Sequence, residues 1–175
     1  MAKFLLLTGF AVAILCGCAS PARPTPTPHS ASLPTANAVT PTAFVPAPEV
    51  GPSQRWIEVD LGAQMVRLRE GNQVLAEHPA ATGVAISAET TTWPGIYQVQ
   101  QMIKGPIENV PGVFVSDILI YDIAAGAGIH SMPMDKDGTV LDSTLGQSVT
   151  AGCVRVGDST AVFEFAQLGT RIWIH

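Results

Sequence analysis

Apolar and polar positions alternate along "RWIEVDL" (55–61), where Trp56, Ile57, Val59 and Leu61 interleave with charged residues. That two-residue period predicts a β-strand. "QMVRLREGNQVLAEHPAAT" (64–82) continues it, with Met65, Arg67 and Arg69 on one face and Val66 and Leu68 on the other. Gly71-Asn72 separates its two strand-like runs and predicts a hairpin turn. "GIYQVQQMI" (95–103) predicts one further strand after the breaker Trp93-Pro94-Gly95, and "GVFVSDILIYDI" (112–123), rich in Val, Ile and Phe, one or two more. The period changes in "STAVFEFAQL" (159–168): Ala161, Val162, Phe165 and Leu168 share a helical face, Asp158 suits the N-cap and Gly169 the stop. "TRIWIH" (170–175) predicts a closing strand. The expected fold class is therefore mostly β with one or two short helices, a sandwich or barrel-like sheet.

Ahead of this domain the pattern is different. "MAKFLLLTGFAVAILCGCAS" (1–20) has Lys3 followed by an apolar run from Phe4 to Cys16. The run is shorter than the ~20 residues a membrane-spanning helix needs, and with its small-residue exit it predicts a secretory signal peptide. The exit Leu15-Cys16-Gly17-Cys18 resembles the lipobox of bacterial lipoproteins. That resemblance implies a lipid on Cys18, anchoring at a membrane, and cell-envelope localisation. Residues 19–53 are rich in Pro, Thr and Ala and nearly uncharged, which predicts an extended tether rather than packed structure. At ~3 Å per residue such a tether spans on the order of 100 Å. The organisation expected is thus 1–18 signal peptide with lipobox, 19–53 linker and 54–175 folded domain.

Composition narrows the function classes. The chain has 175 residues and a net charge of −5. No Lys/Arg run is present, which argues against a nucleic-acid partner, since phosphate binding needs clustered positive charge. Three separated histidines and one cysteine make no zinc pattern, and no phosphate loop or dinucleotide fingerprint occurs, so no metal and no cofactor are expected. With Cys16 removed and Cys18 capped, Cys153 has no partner in its own chain. In an exported protein that leaves a reactive thiol, an intermolecular bridge, or a buried filler.

His78, His130 and His175 are the bases available in the domain. His78 ends a strand-like run and reads as an edge residue; His175 sits where chains fray. His130, in "AGAGIHSMP", reads either as a hydrogen-bonded turn residue or as the base that takes the Cys153 proton. A base needs a third group to orient it, for which Ser131 or a backbone carbonyl is available. Gly152 permits close backbone approach and an unusual φ, and N–H groups at such a turn can form an oxyanion hole. Arg155 suits either a substrate carboxylate or a structural ion pair.

Three blocks resemble the L,D-transpeptidase (YkuD-type) catalytic domain. They are "IEVDLGAQMVRLREGNQVLAEHPAATG" (57–83), "TTTWPGIYQV" (90–99), and "GIHS" (128–131) followed by "SVTAGCVRV" (148–156). The resemblance implies that Cys153 is the nucleophile and His130 its base. Ser131, Gly152, Arg155 and Thr150 then fall on site-shaping positions for substrate or oxyanion. It also implies peptidoglycan stem peptides as partners, with acyl transfer through a Cys153 thioester to an amine, or to water in a carboxypeptidase side reaction. A monomer is expected. Ala151 departs from the pattern, replacing the histidine common before the motif glycine. That change leaves a catalytically impaired wall- or partner-binding module as the alternative. Asp135–Gly138, in a long segment between base and nucleophile, is expected to form a loop beside the cleft.

Overall fold

The structure is a computed structural model and describes residues 44–175. The signal peptide, the lipobox with Cys18 and most of the linker lie outside the described residues. Among the described residues no helix is long and apolar enough to cross a membrane.

Twelve strands and one helix follow one another. They are β1 (Arg55–Asp60), β2 (Met65–Glu70), β3 (Gln73–Gly83), β4 (Gly95–Gln98), β5 (Gln101–Ile103), β6 (Ile107–Val110), β7 (Val113–Val115), β8 (Ile118–Asp122), β9 (Ala127–His130), β10 (Ser148–Thr150), β11 (Val154–Val156), α1 (Ser159–Phe165) and β12 (Arg171–Ile174). The main sheet runs β4-β12-β1-β2-β3-β11-β9-β8-β5, with β10 added to β3; β6 and β7 form a separate hairpin. The mostly β expectation is met, and the sheet is a curled half-barrel.

The first strands form as their periodicity predicts. In β2, Val66 and Leu68 are buried while Met65, Arg67 and Arg69 are only half-buried. Gly71 turns the chain into β3 with φ 51°, and its Cβ-free side abuts the Pro52 carbonyl, which leaves no room for a side chain. The core contains Ile57, Val59, Leu119, Ile129, Val154, Ile172 and Ile174, each fully buried. Burial of side chains this size stabilises by roughly 1.5–3 kcal/mol each.

Three expectations need correction. "GIYQVQQMI" is two strands, not one. Val99 N–H donates to the Thr170 carbonyl at 2.9 Å and Gln100 N–H to the Ile120 carbonyl at 2.8 Å, so the chain leaves β12 and joins β8 between them. This switch curls the sheet until Tyr97 of β4 meets Tyr121 of β8, ring centroids 5.0 Å apart. The helix starts at the Asp158 cap, whose carboxylate accepts from Ala161 N–H, but it ends at Phe165. Leu168 is therefore exposed and not on the buried face, and Gly169 turns the chain into β12 instead of capping the helix. His175 does not fray: its N–H donates to the Val59 carbonyl at 3.1 Å and its ring stacks on Trp173 at 3.7 Å. His78 sits in β3 opposite Val66, with Nε2 buried and unpartnered.

Candidate active site

Cys153 lies in the turn between β10 and β11, at the wall of a cleft of about 420 Å³. Two glycines explain how the turn is built. Gly152 has φ 108°, and a Cβ there would lie 2.9 Å from the Glu89 carbonyl oxygen. A Cβ on Gly83 would lie 2.2 Å from the Thr90 carbonyl and 3.0 Å from Gly152 Cα. The segment 89–92, the end of β3 and the Cys153 turn are therefore in backbone contact, which only hydrogen side chains allow. Thr92 joins them: its hydroxyl accepts from Gly83 N–H and donates to the Gly152 carbonyl, both at 2.8 Å. Thr150 closes the turn by donating its hydroxyl to the Cys153 carbonyl at 2.5 Å. Ala151 is exposed and its methyl lines the cleft.

His130 ends β9, the strand next to β11, and the register sets it opposite Arg155. Its Nδ1 lies 2.7 Å from the Ser131 carbonyl oxygen. A carbonyl only accepts, so Nδ1 carries the proton and Nε2 keeps its lone pair. The group that orients the His130 ring is thus a backbone carbonyl. The Ser131 hydroxyl is not directed at substrate; it is buried, accepting from Ser116 N–H and donating to the Met132 carbonyl, both at 2.9 Å. Arg155 is also buried and pairs with Asp142 at 2.7 Å, with a second bond to the Thr144 carbonyl. Its Nε is buried without a partner. Hydrogen bonds from Thr144 and then Arg155 hold Asp142 down at about 2, so the ion pair persists at any ordinary pH.

No hydrogen bond joins sulfur and imidazole. The thiol faces the Gly126 carbonyl at 3.7 Å, and His130 does not line the cleft. Burial pushes the Cys153 thiol up, against a bond from the Gly128 backbone; burial and the Arg155 charge push His130 down, against the Ser131 bond. Each shift favours the uncharged form, so the resting pair is thiol and neutral imidazole. The Asp135–Gly138 turn is closed by its own bonds to Asp135 and packs beside β7 through Met134 and Phe114. It is not among the residues lining the cleft.

Sequence reasoning did not single out Glu89, Tyr121 or Asp122, and marked Thr92 and Trp93 only as part of a breaker and a resembling block, yet these residues build the rest of the cleft or its support. No local spacing marks them, because they come from segments that meet only in the folded sheet.

Comparison with known proteins places this geometry. Among solved structures the chain resembles an L,D-transpeptidase from Mycobacterium smegmatis (15% identity, TM-score 0.53, covering 70% of this chain and 58% of that one). It also resembles the L,D-transpeptidase from Xylanimonas cellulosilytica (20%, 0.54, 75% and 65%) and one from Stackebrandtia nassauensis (17%, 0.51, 70% and 55%). At these identities the likeness is one of fold, and the chain spans less than two thirds of each of these structures. No curated protein matches it. The sequence profile of the L,D-transpeptidase catalytic domain (YkuD) matches residues 54–174, from the start of the first strand to the end of the last. With that match spanning every strand that builds the Cys153 cleft, the chain belongs to the L,D-transpeptidase catalytic domain family.

Proposed function

We propose that the protein is a cysteine-dependent L,D-transpeptidase of the cell envelope, acting on peptidoglycan stem peptides. The observation that supports it most is the oriented base: His130 Nδ1 is fixed on the Ser131 carbonyl, leaving Nε2 as acceptor on the strand beside the nucleophile's turn. The thiol rotates away from the Gly126 carbonyl and gives its proton to Nε2. Sulfur attacks the carbonyl carbon of the amide between an L-centre and a D-residue. N–H groups of Gly152 and Cys153, which donate to no partner in the turn, hold the oxyanion. The tetrahedral adduct collapses, the C–N bond breaks, and the imidazolium proton leaves with the amine of the departing D-amino acid. An acceptor amine then attacks the thioester, passes a proton to His130 and releases the thiolate, leaving a new amide. Water in place of the amine gives the L,D-carboxypeptidase outcome. Arg155 and Asp142 stiffen the wall behind the base, and Thr150 and Thr92 hold the turn. A lipid on Cys18 and the linker would keep the domain at the membrane and within reach of the wall.

Ala151 favours a second reading, a wall-binding module that retains substrate affinity without turnover. One experiment separates the two. Wild type incubated with a carbapenem is expected to gain one covalent adduct on Cys153 by mass spectrometry, and Cys153→Ser none. His130→Gln is expected to slow adduct formation by roughly 10²-fold or more, the usual worth of a general base. An unmodified wild type beside a reactive control overturns the enzyme reading.

A further inference from the structure

Most positive charges of the domain are neutralised by a neighbour. Arg67 and Arg69 pair with Glu58, Lys104 with Asp117, Lys136 with Asp137 and Arg155 with Asp142. Arg55 and Arg171 are the other lysines or arginines of the described residues, and neither has a carboxylate at ion-pair distance among those residues. Both line one cleft of about 370 Å³, and no aspartate or glutamate lines it with them. In a chain of net charge −5, a cleft with unpaired cations and no acid runs against the composition. It shares no lining residue with the cleft beside Cys153.

Three segments build it. Ser53 and Gln54 lead into β1, which opens with Arg55; Phe165 ends α1; Gln167 and Thr170 lead into β12, which opens with Arg171. β1 and β12 are parallel, with Trp56 opposite Arg171, so both arginines stand at the same end of the sheet. The Arg55 guanidinium lies over the Phe165 ring, 4.3 Å from its centroid. That contact leaves its N–H groups for an acceptor. Arg171 donates one N–H to the Glu49 carbonyl at 2.7 Å, which steadies the side chain while its other N–H groups stay available. Thr170 is 6% exposed; its hydroxyl accepts from Gln167 N–H at 2.8 Å and keeps its own proton to donate. Glu70 stands opposite Arg55 in the sheet and Glu164 belongs to α1, but neither pairs with these arginines or lines the cleft.

We propose that this cleft binds a phosphate ester, with Arg55 and Arg171 as the charged contacts and Thr170 as a further donor. Two guanidiniums, the hydroxyls of Thr170 and Ser53 and the Gln167 amide offer more donors than the two oxygens of a carboxylate accept. A phosphate ester presents more acceptor oxygens to the same donors, and the arginine fork matches their geometry. Because β1 and β12 both contribute, a bound phosphate ties together the two strands at the seam of the sheet, and occupancy stabilises the fold. The inference is independent of the transpeptidase reading, no step of which touches these residues.

The test is calorimetry on the full-length protein with four ligands: inorganic phosphate, glycerol 3-phosphate, dihexanoyl phosphatidylglycerol below its micelle concentration, and acetate. Glycerol 3-phosphate is expected to bind about tenfold more tightly than acetate, to weaken as salt rises and to raise Tm. Arg55→Gln and Arg171→Gln are each expected to weaken it about tenfold, and Arg55→Lys by less, since the charge stays and the fork is lost. Lys136→Gln removes a positive charge outside the cleft and is expected to change the affinity by less than about twofold. Arg55 is exposed, so Arg55→Gln is expected to keep the wild-type urea midpoint. The comparison rests on that variant if Arg171→Gln, which also loses the Glu49 contact, fails to fold. Phosphatidylglycerol binding tighter than glycerol 3-phosphate supports the site with a lipid headgroup as its source; weaker binding supports it with a free ester. No binding of any phosphate compound in the millimolar range, acetate as tight as phosphate, or an affinity that Arg55→Gln leaves unchanged overturns the proposal.

Discussion

At the scale of single residues, the site is governed by what its surroundings do to two protons. Burial raises the Cys153 thiol, and burial with the Arg155 charge lowers His130. An acid pushed up ionises at higher pH, so alkylation of Cys153 by iodoacetamide is expected to rise with a midpoint above the ~8.5 of an ordinary thiol. A midpoint below 7 would mean that a thiolate–imidazolium pair already exists at rest. Gly152 is the second control point. Its φ of 108° and the 2.9 Å approach to the Glu89 carbonyl leave no place for a methyl group. Gly152→Ala is therefore expected to lose about 1–3 kcal/mol in urea unfolding, the cost of a strained backbone position, and to lose carbapenem acylation with it. Of the residues the proposed reaction relies on, Cys153, His130 and Gly152 could be picked out as candidates in the sequence because they sit in two short contiguous motifs. A backbone carbonyl was one of the two orienting groups open to His130 in the sequence; that it is the Ser131 carbonyl was not readable, since every residue has one. Tyr121 and Asp122 were illegible: β8 brings them to the cleft only after the sheet has curled.

Elements formed where a side-chain period was long enough to be read. β2 and β12 alternate buried with half-buried positions, and the Asp158 cap set the start of α1. β9, β10 and β11, which carry or flank His130 and Cys153, are three or four residues each and include Gly128 and small side chains, so no period distinguishes them from turns. They exist because neighbours impose them: β11 lies between β3 and β9. The helix is fixed to this region by one buried carboxylate. Asp117, just before β8, accepts from Ser159 Oγ at 3.1 Å and Thr160 Oγ1 at 2.8 Å, and pairs with Lys104 at 2.9 Å. Burial alone would raise its carboxyl, but the bonds from Lys104, Thr160 and Ser159 outweigh it and leave it depressed. A depressed acid stabilises the fold above its unfolded value of about 4, and that contribution disappears as pH falls through the folded value. Asp117→Ala is expected to cost about 1–3 kcal/mol at pH 7 and to flatten the acid limb of the stability profile. Asp117→Asn should cost less, because asparagine keeps part of the bonding and tolerates the φ of 51° found here. An unchanged acid limb in both variants would show that Asp117 does not hold the helix.

At the scale of the folded domain, the last strand holds the sheet together. β12 enters between β4 and β1, parallel to β1, with Trp56 opposite Arg171 and Val59 opposite Ile174. The first and last strands of the domain are thus neighbours in the sheet, while the chain between them builds every wall of the cleft. Ile172 and Ile174 are fully buried, and β12 also holds the incoming segment, through Arg171 to the Glu49 carbonyl and Trp173 Nε1 to the Val45 carbonyl. Without β12, β4 loses the strand it pairs with and β1 becomes an apolar edge. Tyr97 then has nothing to place it against Tyr121, and the cleft loses one side although no residue touching Cys153 has been changed. Removal of residues 171–175 is therefore expected to abolish cooperative unfolding and carbapenem acylation together. Ile172→Ala, which leaves the strand but opens a cavity, is expected to cost about 2–5 kcal/mol with the acylation rate of the folded fraction preserved. A truncated chain that still unfolds cooperatively and still acylates would mean that β1 to β11 close the sheet unaided. Circular dichroism through a urea titration, run alongside the adduct assay on the same samples, decides between these outcomes.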